Sequence, residues 1–359
     1  MSEVEVRPFQ AEDGPLLSEI VHKSFSVEWS SRFWQWKYLE SPCGKASTYL
    51  ILADGKVVAL SGQILQYVSL NGEKVLASVA VDNMRLPGYE KKGGGWLKAV
   101  RLAVKEACSR GAPFIYSIAN ELSMRASQVL KYEAVFSLQS LRLPLNVSTH
   151  LLRRFGNNKL IRSMGKSGDM LFGLFDTFGR RSENMLRHSK WDVHEVKSFD
   201  NNFTALWEKV KDCYGITAWR DAEYLNWRYI AIPEVNYKIF CVSEYGDPNP
   251  SGYIVLKCEE EMGIKRGYII DIIVQPNEKE SFYALLARAV SFFREAEMDA
   301  VYFWVNKEAW IFSWFREAGF SPIEIKQYLV VKSYSDSIPQ SRLMEKSGWY
   351  ITRGDSDYL

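Results

Sequence analysis

The sequence lacks most of the features that announce a chemistry. Its five cysteines, Cys43, Cys108, Cys213, Cys241 and Cys258, are an odd set with no CxxC or CxxH spacing. That argues against a disulfide framework or a zinc site and fits reduced thiols in a cytoplasm. The four histidines, His22, His150, His188 and His194, stand apart with no serine or cysteine motif beside them, so a nucleophilic triad has no support. No sign of charge dominates: 45 basic residues against 43 acidic ones leave +2, too little for a field that gathers nucleic acid or an anionic membrane, and any anion must be held locally. No stretch approaches the roughly 18 apolar residues of a membrane span, and the opening MSEVEVRPFQAEDG has no apolar signal core. The expectation is a cytoplasmic globular chain, whose 359 residues at 47% hydrophobic content suffice for two buried cores.

What is present is a repeat. FWQWKYLESP (Phe33 to Pro42) matches YLNWRYIAIP (Tyr224 to Pro233), with Trp-basic-Tyr and the later proline at identical spacing. VDNMRLP (Val81 to Pro87) matches IDIIVQP (Ile270 to Pro276), and YSIANE (Tyr116 to Glu121) matches YFWVNKE (Tyr302 to Glu308), in the same order and at an offset of about 190 residues. Such landmarks imply a tandem duplication. Each copy reads helix, three strands, helix, strand, helix, strand, a mixed α/β class with a largely antiparallel sheet. In the first copy AEDGPLLSEIVHKSF and SSRFWQWKYLES are helical, and hairpin dipeptides at Asp54-Gly55 and Asn71-Gly72 join three strand-like runs. GWLKAVRLAVKEACSRG then has helical spacing and PFIYSIAN reads as a buried strand. The division expected is 1–147, a basic and apolar helical connector over 148–190, and 191–359.

Between the third strand and its helix lies GYEKKGGGWLKAV, which puts Gly93, Gly94 and Gly95 where the helix should begin. Bare backbone N–H groups at the positive end of a helix dipole form a phosphate cradle. A P-loop would need a lysine and a hydroxyl after its second glycine, and a dinucleotide fingerprint would need a third glycine where Lys98 stands.

A long strand ending in Asp-x-x-x-x-Pro-x-Tyr and leading to basic-x-x-Gly-x-Gly resembles the GNAT superfamily, the acyl-CoA-dependent N-acyltransferases. The stretch here is Glu90-Lys91-Lys92-Gly93-Gly94-Gly95, with Glu90 replacing the usual leading basic or amide residue and Lys91 and Lys92 compensating. The duplication resembles the tandem-domain members, including enzymes that acylate nucleotide-linked amino sugars for surface polysaccharides. The resemblance implies an acyl-CoA, acetyl or another short chain, as co-substrate, no metal, and direct attack by an amine in a ternary complex. Val81, Asn83 and Met84 would line pantetheine, Lys91, Lys92, Gly93, Gly94, Gly95 and Trp96 the pyrophosphate. Asp82 is the candidate base, direct or through water; the alternative is a structural hydrogen bond, since Asp271 repeats it. Tyr132 would protonate the thiolate or else be a core tyrosine, and Asn120 would bond the pantetheine amides or cap a turn. Trp34, Trp36, Tyr38, Trp227 and Arg228 are candidate acceptor contacts, although duplication favours packing for the aromatics. Lys37 and Arg228 could meet a phosphate or a carboxylate.

The second copy has no glycine after Pro276 and carries Glu278 and Glu280 there, so a single donor site is expected in the first half of a monomer or homodimer. Two other readings stay open: an aminoacyl transferase of the peptidoglycan cross-bridge type, which the triple glycine opposes, and a binding protein with a degenerate CoA site.

Overall fold

A computed structural model describes residues 4–357 apart from 26, 87, 90–93 and 146–189. The first repeat runs β1 (Val4–Pro8), α1 (Gly14–Phe25), α2 (Ser31–Leu39), β2 (Tyr49–Ala53), β3 (Lys56–Leu70), β4 (Glu73–Arg85), α3 (Gly94–Ser109), β5 (Phe114–Asn120), α4 (Glu121–Val129) and β6 (Glu133–Pro144). The second begins with β7 (Trp191–Glu195), α5 (Asn201–Val210), β8 (Ile216–Ala218) and α6 (Ala222–Leu225), which widens into a π turn over Asn226–Ile230. It continues through β9 (Lys238–Glu244), β10 (Gly252–Glu261), β11 (Ile264–Val274), α7 (Lys279–Glu295), β12 (Ala300–Val305), α8 (Ile311–Glu317) and β13 (Ser321–Ser333), and a tail carrying α9 (Gln340–Leu343) follows. The expected order holds in the first copy with an edge strand, β1, added before it, and in the second with two additions, the edge strand β7 and the short β8 between α5 and α6. The connector expected over 148–190 lies outside the described residues except for Lys190.

Asp54-Gly55 and Asn71-Gly72 both take positive φ at both positions, the twist that a two-residue hairpin requires. The described strands form one sheet in the order β1-β2-β3-β4-β5-β13-β6-β12-β11-β10-β9-β7, with β8 paired to β3. Only β4–β5 and β11–β12, equivalent positions in the two repeats, pair in parallel. At the centre the final strands are exchanged: β13 lies between β5 and β6, and β6 between β13 and β12. Each repeat thus completes the sheet of the other, and neither core closes without its partner.

A second seam crosses the other face. Trp36 and Trp227, equivalent by duplication, stack with ring centroids 5.0 Å apart. Each indole donates to the other's backbone carbonyl, at 2.9 and 3.3 Å. The tail contributes Trp349 and Ile351 to the core around α1, α2 and β3–β5. No helix among the described residues is long and apolar enough to cross a membrane.

Candidate active site

The site grows from two departures from a regular sheet. The first is an opening between β4 and β5. These strands hold register only at Ser78–Ile115 and Val79–Tyr116, after which β4 runs on to Arg85 and β5 to Asn120 without further pairing. Ser117 Oγ donates to the Ala80 carbonyl across the gap at 2.8 Å. Beyond Tyr116, β5 is held on its far side by β13, so the second repeat props the opening.

The second departure is a bulge in β4. Leu60 pairs with Met84 and Gly62 with Val81, which leaves Asp82 and Asn83 opposite the single residue Ser61. Asp82 takes φ +49°, a left-handed conformation that aspartate tolerates better than most residues. Its Oδ2 accepts from the Tyr38 hydroxyl at 2.6 Å and pairs with Lys37 Nζ at 2.5 Å. Lys37 is only 5% exposed, and such a cation is retained only with a partner. The Trp-basic-Tyr landmark therefore delivers both side chains to one carboxylate. A third group arrives from the tail: Asp357 lines the cleft together with Lys37 and lies near enough to Asp82 for their charges to interact. Burial, with the Asp82 charge adding and Lys37 opposing, holds its carboxyl above the usual aspartate range.

A cleft opens beside this cluster. Its floor is Ile64, Val79 and Val81, its wall Trp36 and Trp227, and its polar side includes Lys37, Gln66, Tyr224 and Asp357. The tail is fixed there by Arg228, which donates to the carbonyls of Gly354 at 3.1 Å and Ser356 at 2.8 Å, and by Arg220, which is shared between Asp355 and Asp271.

On the face covered by α3, Lys91, Lys92 and Gly93 lie outside the described residues, while Gly94 opens the helix. Gly95 has a packing duty that its place in an anion cradle does not reveal. A Cβ there would stand 2.9 Å from side-chain carbons of both Ile51 and Val4, so glycine lets α3 seat on β1 and β2. Any side chain at Gly95 therefore meets a steric cost before it meets an anion. Trp96 is half-buried with Arg85 and Tyr89.

Tyr132 lies beyond the end of α4, not within the helix after Asn120 as its sequence position suggests. It packs with Ala80, Ile115 and Ala119 at the opening. Its buried hydroxyl faces Gln63 and Tyr334 but makes no well-formed hydrogen bond among the described residues. Burial raises its pKa well above that of a free phenol. Asn120 caps α4, its Oδ1 accepting from the Ser123 N–H at 2.9 Å. Val81 and Met84 are buried and Asn83 is exposed, accepting from Ser61 Oγ at 2.8 Å. Trp34 is buried and donates to Ser18. Thus Asp82, Val81, Trp36, Tyr38, Trp227 and Arg228 converge on one side of the opening, Tyr132, Gly94 and Gly95 lie on the other, and Trp34 stands in the core. Asp357 escaped sequence reasoning because GDSDYL carries no recognisable spacing; only folding brings it to Asp82.

The equivalent place in the second repeat is closed. A bulge between Val255 and Leu256 on β10 leaves Ile270 of β11 unpaired beside Asp271. Asp271 is fully buried and accepts from Arg220, Tyr229, Tyr253, Thr352 and the Ile272 N–H. The tail fills the space around it: Tyr350 donates to the Ile272 carbonyl at 2.6 Å, and Asn306 at the end of β12 donates to the Lys346 carbonyl.

Solved structures place this architecture. A GCN5-related N-acetyltransferase from Anabaena variabilis superposes with TM-score 0.63 at 13% identity over 93% of this chain and 73% of its own. A tandem GNAT protein from the clavulanic acid biosynthesis pathway gives 0.57 at 8% identity over 93% and 99%. The fold is that of a tandem GNAT protein. Saccharomyces cerevisiae N-myristoyltransferase with bound myristoyl-CoA shares it, with TM-score 0.60 at 12% identity over 92% and 83%. No family model matches the sequence, and no curated protein does.

Proposed function

We propose that this tandem GNAT chain is an acyl-CoA-dependent N-acyltransferase with one donor site, in its first repeat. The observation that carries this reading is the β4/β5 opening itself, with a glycine-led helix on one side and, on the other, a cleft lined by Lys37 and Asp357, whose Lys37 is paired with Asp82. Helix α3 and the glycine loop would receive the pyrophosphate, and the edge of β4 beyond Val79, where its pairing with β5 has ended, would meet pantetheine and the thioester oxygen. The acceptor amine enters from the cleft, where the carboxylates attract its ammonium form. The proton leaves to Asp82, directly or through a water, and the neutral nitrogen attacks the thioester carbon. As the C–S bond breaks, the thiolate takes the proton of Tyr132, whose orphaned hydroxyl at the opening supports that role, and the second proton shed by the nitrogen as the amide forms returns to the phenolate through water.

For the acceptor, a nucleotide-linked amino sugar leads by resemblance, with only its amine-bearing edge entering so narrow a cleft. Trp36 and Trp227 would then act as wall rather than as stacking platform, since they stack on each other. The test is a thiol-release assay with acetyl-CoA and a panel of amino-sugar nucleotides and simple primary amines. Release that depends on an amine and is abolished in Asp82→Asn supports the reading, and binding of acetyl-CoA without release to any amine counts against it.

A further inference from the structure

A second cavity lies at the far end of β4. Glu73 opens that strand, and at about 3.3 Å per residue it stands roughly 30 Å from Asp82. The start of β4, the turn from α3 into β5 and the tail after β13 bound an open groove with a free volume of about 580 Å³, against about 40 Å³ in the cleft. Small-molecule sites occupy about 300–1,000 Å³. The groove is preformed: the Tyr334 N–H donates to the Pro113 carbonyl at 2.8 Å, Ser333 Oγ to the Ile338 carbonyl at 2.6 Å, and the Ser333 N–H to Gln340 Oε1 at 2.8 Å. Its floor is apolar, with Leu70, Ala112 and Ile338 buried and Val75 and Pro113 half-buried. Because β5 begins at Phe114 and pairs with β4 only from Ile115, the β5-side edge of β4 before Ser78 has no strand beside it among the described residues.

Two opposite charges line this floor: Arg342, half-buried on α9, and Glu73, exposed at the start of β4. Neither side chain makes a hydrogen bond or ion pair among the described residues, with the other or with a third group. A guanidinium partly withdrawn from water without a partner favours an incoming carboxylate, which it holds with two parallel hydrogen bonds. A phosphate would meet the repulsion of Glu73, and a neutral apolar molecule would leave both charges unpaired. A zwitterion with an apolar body satisfies all three features. We propose that the groove binds an apolar α-amino acid, with its carboxylate on Arg342, its ammonium on Glu73 and its side chain on the floor. The site is independent of the donor reading above.

The experiment is calorimetric titration of the full chain with valine, leucine, methionine and phenylalanine, followed for the tightest binder by its amide and its deaminated acid. One site per chain is expected for the amino acid. The amide, which lacks the carboxylate, and the acid, which lacks the ammonium, should each bind at least tenfold more weakly. In Arg342→Ala the amino acid should fall to the affinity of its amide, and in Glu73→Gln to that of the deaminated acid. Neither residue has a partner to lose, so both variants should keep the wild-type unfolding midpoint. Binding that survives Arg342→Ala unchanged overturns the assignment, and so does absence of binding by all four amino acids at millimolar concentration.

Discussion

Asp82 and Asp271 occupy corresponding positions of a duplicated strand, each beside a bulge and each bonded by the tyrosine of a Trp-basic-Tyr turn, yet they have become different kinds of residue. Asp271 is fully buried and saturated, one member of a network with Arg220 and Asp355 that ties the tail to β11. Asp82 is partly exposed, pairs with a Lys37 that lines a cleft beside a second carboxylate, Asp357, and sits on the strand that opens away from β5. The helices diverge in the same sense: α3 opens with glycine, whereas α7 follows Glu278 and carries Glu280 in its first turn, which repels an anion. One scaffold thus holds an aspartate either saturated or with capacity to spare, according to whether its remaining valences are filled from within. In the second repeat the chain's own tail fills them.

The largest effect should come from the closed side. Arg220→Ala strands Asp271 and Asp355 in the core, and loss of one partner of such a buried network typically costs about 3–5 kcal/mol. Urea unfolding should show that loss, and a change under about 1 kcal/mol would mean the network is not what holds the tail. Asp82→Asn should divide the two aspartates. It is expected to lower turnover by roughly 10²–10⁴-fold with a small change in unfolding midpoint, while Asp271→Asn should do the reverse. If both variants lose stability alike, the contrast between them fails.

Gly95→Ala measures the packing duty apart from anion binding. Its Cβ meets Ile51 and Val4, so a loss of about 1–3 kcal/mol is expected. Gly95→Asp should add weakened CoA binding to that. An alanine variant as stable as wild type would return Gly95 to a purely cofactor role.

The smallest effect concerns pH. Asp357 is held above the ordinary aspartate range in the folded chain, so it keeps its proton to a higher pH there than when unfolded. Its contribution to stability is full below the unfolded pKa and declines as pH rises through the folded one. A rate that needs its charge falls as pH drops through the same raised value. In Asp357→Asn, which carries no charge at any pH, the rate should therefore stay near the wild type's acid-side value and this limb should vanish, and an unchanged limb would assign it to another group.

Much of this was legible in the sequence, because it rests on local signals. Hairpin dipeptides at residues 54–55 and 71–72, helical spacing after Gly95 and the paired Trp-basic-Tyr turns each act within a few residues. The exchange of β6 and β13 was not legible, since strand pairing over such separations leaves no local mark. Asp357 was hidden for the same reason, and Gly95 was read as an anion cradle because its neighbours Val4 and Ile51 are remote in sequence. Position on the strand suggested Asp82, but only the filled shell of Asp271 separates the two roles.

The central claim is one open donor site and one closed. Calorimetric titration of acetyl-CoA into the purified chain tests it most directly through its stoichiometry. The account predicts one site per chain; two sites, or none, would contradict it.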